Sequence, residues 1–204
     1  VPRNGILGVV LAGGLSRRMG GGDKPLRSLA GRTLLDRVVG RFAPQCGTGL
    51  ILNANGDPSR FGPFPGRIVP DDVPDHAGPL AGVLAALDHA AAEHPGIAQV
   101  ASITGDAPFL PLDLVARLAE AARAAPIAMA ASNGREHFTV ALWPVALRTA
   151  LREYLVDRNE RRVGGFLREQ GAVAVDWAAA PVDPFWNLNT PDDLAQAEAY
   201  LAGS

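Results

Sequence analysis

Ile6-Leu7-Gly8-Val9-Val10-Leu11-Ala12-Gly13-Gly14-Leu15-Ser16-Arg17-Arg18-Met19-Gly20-Gly21-Gly22-Asp23-Lys24 is the stretch from which the rest of the chain can be read. Its first part is apolar, rich in β-branched residues and stopped by glycines, which suits a buried parallel strand. Its second part reads as a phosphate cradle. Glycine lets the backbone turn its N–H groups toward an anion, because a missing Cβ permits positive φ and close approach to a ligand. Lys24 is the only lysine among the 19 Lys and Arg residues, so a compact ammonium stands where every other cation is a guanidinium. The loop is not a Walker A motif, which needs Ser or Thr after the lysine where this chain has Pro25, nor does it fit G-x-G-x-x-G. Its place after the first strand marks a ligand site, since open α/β sheets bind ligands beyond the carboxyl ends of their strands.

Working outward, strands and helices alternate. Thr33 to Phe42 carries apolar residues at helical spacing, Gly49 to Asn53 is a short apolar strand, and Asn55 to Pro65 is an irregular crossing. A brief strand from Arg67 to Pro70 leads to Asp71, and Pro79 opens an alanine-rich helix running to about His94. Ala98 to Ile103 reads as a second central strand, followed by a helix from Pro111 to Ala124 and strands at Ile127 to Ala131 and Thr139 to Trp143. Helices at Val145 to Leu155 and Val163 to Glu169, a strand at Val173 to Trp177, and a helix from Pro191 to Leu201 complete the order. This predicts an α/β protein: a single three-layer α/β/α domain over residues 1–204, Rossmann-like, with a mostly parallel sheet.

Composition narrows the partners. A net charge of −2 gives no basic excess for nucleic acid, and the N-terminal apolar run is too short to span a membrane. No export signal is read, so the expected location is the cytoplasm. The single cysteine, Cys46, cannot form an intrachain disulfide and is expected to be a small core residue. His76, His89 and His94 show no paired metal-ligand spacing.

Asp106 directly follows a buried strand, which brings its carboxylate to the sheet edge that carries the glycine loop. There it suits magnesium, which takes one or two carboxylates together with phosphate oxygens. The competing reading is an N-cap for the next helix. Asp71, Asp72 and Asp75 form an acidic loop of the kind usually left in solvent. Asn53 ends a strand, with Asn55 close behind. Thr190 reads as the N-cap of the last helix with Asp192 and Asp193 complementing its dipole, and Asn187 and Asn189, two apart on an extended strand, would point to one face.

Leu11 to Lys24 resembles the nucleotide-binding signature of the molybdenum cofactor guanylyltransferases, L-A-G-G-x-x-x-R-M-G-x-x-D-K. Similar blocks follow in the family's order: Asn53-Ala54-Asn55, Asp71 with Gly78-Pro79-Leu80-Ala81-Gly82, Asp106-Ala107-Pro108-Phe109, Glu160-Arg161-Arg162-Val163 and Asn187-Leu188-Asn189-Thr190-Pro191. The resemblance implies transfer of GMP from GTP to molybdenum-bound molybdopterin, with Mg2+ as cofactor. It implies nucleotide binding by Leu11, Ala12, Gly13, Gly14, Lys24, Asn53, Asp71 and Asp106, catalysis by Lys24, Arg18 and Asp106, and Asp106 as metal ligand. Asn187, Asn189 and Arg161 would meet the acceptor, and other cofactor-biosynthesis proteins or acceptor-enzyme chaperones would be partners. Guanine is the expected base, because relatives that use CTP show Ala-Ala-Gly where this chain has Ala12-Gly13-Gly14 and lack the Gly78 to Gly82 block. One departure stands out: the family's His-Pro-Thr is His137-Phe138-Thr139 here, which places an aromatic near the expected acceptor side. The alternatives are a related guanylyl- or cytidylyltransferase acting on another phosphate, or a catalytically silent GTP-binding regulator.

Overall fold

The computed structural model describes residues 5–12, 23–73 and 78–203. Strand β1 (Ile6–Leu11) lies inside a seven-stranded sheet. A small antiparallel ribbon, β2 (Ser28–Leu29) and β3 (Arg32–Thr33), turns at Ala30 and Gly31, both at positive φ, and leads into α1 (Leu34–Phe42). The entry to α1 is a capping box. Asp36 N donates to Thr33 Oγ1 at 3.0 Å while Thr33 N donates to Asp36 Oδ2 at 3.4 Å, a device worth about 1 kcal/mol.

The chain continues through β4 (Leu50–Asn53), β5 (Gly66–Val69), α2 (Pro79–Glu93), β6 (Gln99–Thr104), α3 (Leu114–Ala121), β7 (Ala128–Ser132) and β8 (Arg135–Pro144). It ends with α4 (Arg148–Arg152), α5 (Val163–Glu169), β9 (Val173–Trp177) and α6 (Pro191–Ala202). The sheet order is β5-β4-β1-β6-β8-β7-β9. Strand β8 is antiparallel to both neighbours, and every other pairing in this sheet is parallel.

Alternation along β1 builds the two faces. Ile6 and Val10 join a core with Leu35, Val38 and Phe42 of α1 and Leu114, Val115 and Leu118 of α3. Leu7, Val9 and Leu11 join the opposite core with α2, Leu151, Tyr154 and Phe166. This is period-two side-chain placement with helices on both sides of the sheet. Gly8 is required inside the strand, because a Cβ there would lie 2.4 Å from Leu50 Cδ2 and 2.6 Å from Cys46 Sγ. Among the described residues no helix is long and apolar enough to cross a membrane.

Three expected elements differ. The predicted helix Pro111 to Ala124 shortens to α3, because Gln45 takes its first turn: Gln45 Nε2 donates to Pro111 O at 2.9 Å and Gln45 Oε1 accepts from Val115 N at 3.0 Å. A cap from a distant segment leaves no local signature. The single helix expected over Val145 to Leu155 is a 3-10 turn, α4 and a π-turn (Glu153–Asp157) closed by Arg158 N donating to Glu153 O. Strand β8 begins at Arg135, ahead of the expected Thr139, because Asn133 and Gly134, both at positive φ, close a tight hairpin with β7.

Cys46 is buried among the residues under β1. Burial pushes its thiol up to about 12 from 9.0. The native thiol is therefore expected to resist a disulfide-exchange reagent at pH 8 and to react fully once the chain is unfolded, read from the released chromophore. The same shift sets a pH dependence. The unfolded chain ionises first, so this contribution to stability is complete below pH 9 and declines as pH rises toward about 12.

Candidate functional site

The carboxyl ends of β1, β4 and β6 open into a cavity of about 250 Å³ lined by residues including Ala12, Lys24, Asn53, Asp71, Thr104 and Asp106. Leu11 also lines it. Gly105 bonds back to the end of β1, its N donating to Leu11 O at 3.1 Å, and so delivers Asp106 to the rim. Pro25 packs on Gly105 so closely that a Cβ there would stand 3.0 Å from Pro25 Cγ. Lys24, one residue earlier, is thereby brought over Asp106.

The Lys24 ammonium donates to Asp106 Oδ2 and to Asn189 Oδ1. The side chains of Lys24 and Asp106 are 14% and 17% exposed, so solvent screens this pair little. Asp106 Oδ1 is buried and, among the described residues, is the one buried side-chain polar atom without a hydrogen-bond partner. An acceptor oxygen left without a partner on a residue that lines the cavity, beside an ammonium that holds its twin, has the chemistry to serve a hard cation. The helix-cap reading of Asp106 fails on position: α3 starts at Leu114 and is capped by Gln45. Among the described residues no group of three or more His, Cys, Asp or Glu is placed to hold a metal ion.

On the opposite lip Asp71 is held by two asparagines. Asn53 Nδ2 donates to Asp71 Oδ1 at 2.9 Å and Asn55 Nδ2 to Asp71 Oδ2 at 2.7 Å, while Asp71 N donates to Asn55 Oδ1 at 2.8 Å. Asp71, the one acid of its loop that the family resemblance singles out, is thus built into the wall. Asn53 and Asn55 both serve the lip, Asn53 lining the cavity and Asn55 bracing it. Gly82 of α2 is part of the same fit, since a Cβ there would fall 2.2 Å from Asn53 Oδ1 and 2.9 Å from Leu11 Cδ2. Asp72 turns away to Arg152 of α4, at 3.0 Å.

Asn187 and Asn189 lie on an irregular segment, not the extended strand expected, because the chain here follows side-chain anchors in place of a sheet ladder. Leu188 N donates to Asp106 O at 3.0 Å and Thr104 Oγ1 donates to Asn187 Oδ1 at 3.0 Å. Asn189 Nδ2 donates to Asn187 O at 3.0 Å, and Thr190, the expected N-cap of α6, forms a capping box with Asp193. Both amides therefore sit against residues of the cavity lining, Asn187 on Thr104 and Asn189 on Lys24. Arg161 lies outside the cavity lining and donates to Asn159 Oδ1 at 3.3 Å. Gly13, Gly14 and Arg18 lie outside the described residues.

The His137-Phe138 departure has two separate consequences. Phe138 packs on α5, where a Cβ on Gly164 would approach its ring to 2.9 Å. His137 is buried and shares Ser132 with Asp183: His137 Nε2 lies 2.7 Å from Ser132 Oγ, which donates to Asp183 Oδ1 at 2.8 Å. With the hydroxyl proton directed at Asp183, the imidazole must carry its proton on Nε2. Burial holds His137 below the usual imidazole range, against the opposing pull of Asp183. Asp183 also accepts from Phe185 N at 2.9 Å, so this network anchors the turn that leads to Asn187 and Asn189, which lie outside the cavity lining and meet it through Thr104 and Lys24. Thr104, Gly105 and Pro25 escape sequence reasoning because none carries a signal apart from its neighbours in space.

The model of the MobA-like NTP transferase domain family matches residues 8–173. The chain is 53% identical over 197 residues to a molybdenum cofactor guanylyltransferase from Bradyrhizobium sp., covering 96% of this chain and 92% of that protein. It is 52% identical over 204 residues to one from Mesorhizobium japonicum, covering 98% and 97%. The crystal structure of molybdopterin-guanine dinucleotide biosynthesis protein A from Archaeoglobus fulgidus shares the fold, with a TM-score of 0.73 at 21% identity over 98% of this chain and 100% of that one. Half of the residues are thus shared along almost the whole length with those relatives, and the chain belongs to the molybdenum cofactor guanylyltransferases of the MobA-like NTP transferase family.

Proposed function

We propose that this protein transfers GMP from GTP to the terminal phosphate of molybdenum-bound molybdopterin and releases pyrophosphate. The observation that carries the reading is one ammonium shared between two blocks: Lys24 meets Asp106 at the end of β6 and Asn189 ahead of α6. A cation at that junction serves a reaction in which two anionic substrates must be held together. An acceptor phosphate oxygen forms the new bond to the α-phosphorus of GTP while the bond to the bridging oxygen of pyrophosphate breaks. The attacking group is already an oxyanion, so no side-chain base is required.

Catalysis is then mainly positioning and neutralisation of charge. Lys24 offsets charge at the α-phosphate and leaving group, and Gly13, Gly14 and Arg18 of the glycine loop would share that task. Asp106 is suited to hold Mg2+ through its open Oδ1 while Oδ2 keeps Lys24. The metal, when bound, would supply charge neutralisation on the triphosphate. Leu11, Ala12, Asn53 and Asp71 would hold the nucleoside. Guanine fits a wall with carbonyl and carboxylate acceptors, because its N1–H and exocyclic amine both donate, a pattern cytosine cannot match.

The test is pyrophosphate release with molybdenum-loaded molybdopterin and either GTP or CTP, with and without magnesium. Release with GTP and magnesium alone is the expected result, and equal release with CTP would overturn the choice of base. On the acceptor side, replacing Asn187 and Asn189 together by Ala is expected to weaken molybdopterin binding about tenfold or more, at roughly 0.5–1.5 kcal/mol per hydrogen bond lost. Because Asn189 also holds Lys24, GTP binding should weaken too, by about three- to tenfold. Unchanged pterin binding in a titration would move the acceptor to another surface.

A further inference from the structure

Arg60 lies on a 3-10 turn (Pro58–Phe61) within the irregular crossing after β4. Its guanidinium uses all three nitrogens. Nε pairs with Asp23 Oδ2 at 2.6 Å, Nη2 donates to Asn55 O at 2.6 Å, and Nη1 donates to Asp57 O at 2.5 Å. The Phe61 ring lies against it, its centroid 4.4 Å from Cζ. Gly56 makes room for this reach: it is at φ +84°, and a Cβ there would approach Nη1 to 3.2 Å.

The two ends of this bridge adjoin two residues of the cavity lining, Lys24 and Asp71. Asp23 directly precedes Lys24, and Leu26 N donates to Asp23 O at 3.0 Å, so the anchored acid fixes the turn that presents the ammonium. Asn55 holds Asp71 through both its amide and its carbonyl. One guanidinium therefore spans from the phosphate side of the site to the nucleoside side. It also answers an electrostatic problem. A carboxylate beside a lysine that must attract a triphosphate would repel the same ligand, and an arginine paired with it cancels that charge.

We infer that Arg60 is a positioning residue for GTP, joining the Lys24 turn to the Asn55–Asp71 lip and neutralising Asp23 beside the triphosphate. The inference rests on the guanylyl-transfer reading above. A lysine can replace it only in part, because a single ammonium can pair with the acid but has no fork to serve it and two carbonyls together.

The experiment is calorimetric titration of GTP with magnesium into the parent, Arg60→Gln, Arg60→Lys and Arg60→Gln combined with Asp23→Asn, with steady-state rates alongside. Arg60→Gln is expected to weaken GTP binding about tenfold and raise KM for GTP to match, while kcat stays within about threefold. Arg60→Lys should fall between it and the parent. Adding Asp23→Asn should recover about threefold or more of the lost affinity, a rescue that mere loop packing would not produce. GTP binding by Arg60→Gln within twofold of the parent overturns the inference, as does a loss that Asp23→Asn fails to relieve. A parent that binds no GTP overturns the guanylyl reading and this inference with it, whereas a parent that binds while Arg60→Gln is unaffected sinks this inference alone.

Discussion

Asp106→Asn is expected to lower guanylyl transfer about a thousandfold, equivalent to roughly 4 kcal/mol of barrier, with the protein still folded. The substitution keeps the volume of the side chain but removes the charge from the open Oδ1. Its backbone role persists, since Leu188 N bonds the Asp106 carbonyl and α3 takes its cap from Gln45. Stability should therefore hold, and the magnesium concentration for half-maximal rate should rise. Single-turnover rates across a magnesium series, with a thermal melt on the same sample, separate these effects. Parent-like magnesium dependence with a lowered melting point would mean that the carboxylate serves the fold and that any metal is held elsewhere.

Lys24→Ala should cost at least ten- to a hundredfold in turnover, from roughly 1.5–3 kcal/mol for a charged hydrogen bond and more where charge develops on phosphate. The loss has two parts. The transferred phosphate is deprived of its ammonium, and Asp106 is left as a partly buried carboxylate without its counter-ion. Lys24→Arg should also be impaired, because the slot between Asp106 Oδ2 and Asn189 Oδ1 holds a compact ammonium, and a planar fork is wider. Turnover of the alanine variant within a factor of two of the parent would remove Lys24 from the mechanism. If Lys24 also couples the two substrates, KM should rise for both GTP and molybdopterin.

Much of this site is legible in the sequence because its signals are local. A β-branched run stopped by glycine, a lone lysine after it, and an aspartate closing a second apolar run each announce themselves within a few residues. The Thr190–Asp193 capping box is equally local, and the structure contains it. The Asn133-Gly134 turn was equally open to reading, since a two-residue turn of that type joins adjacent antiparallel strands. It explains why β8 runs against β7 in a mostly parallel sheet.

Other features have no local trace, because they depend on which distant segments pack together. Asp71 looks like one of several solvated acids until β4 and β5 pair and bring Asn53 and Asn55 onto its carboxylate. Gln45 gives no hint that it caps α3, nor Arg60 that it joins Asp23 to Asn55. Asn187 and Asn189 can be picked out as a pair by spacing, yet their seat beside Thr104 and Lys24 follows from Leu188 hydrogen bonding to the Asp106 backbone. Periodicity and turn chemistry act over a few residues and so specify strands, helices and the glycine-ended loop. Partners for buried polar groups come from wherever the packed sheet places them, so the wiring of the site emerges only when the layers close.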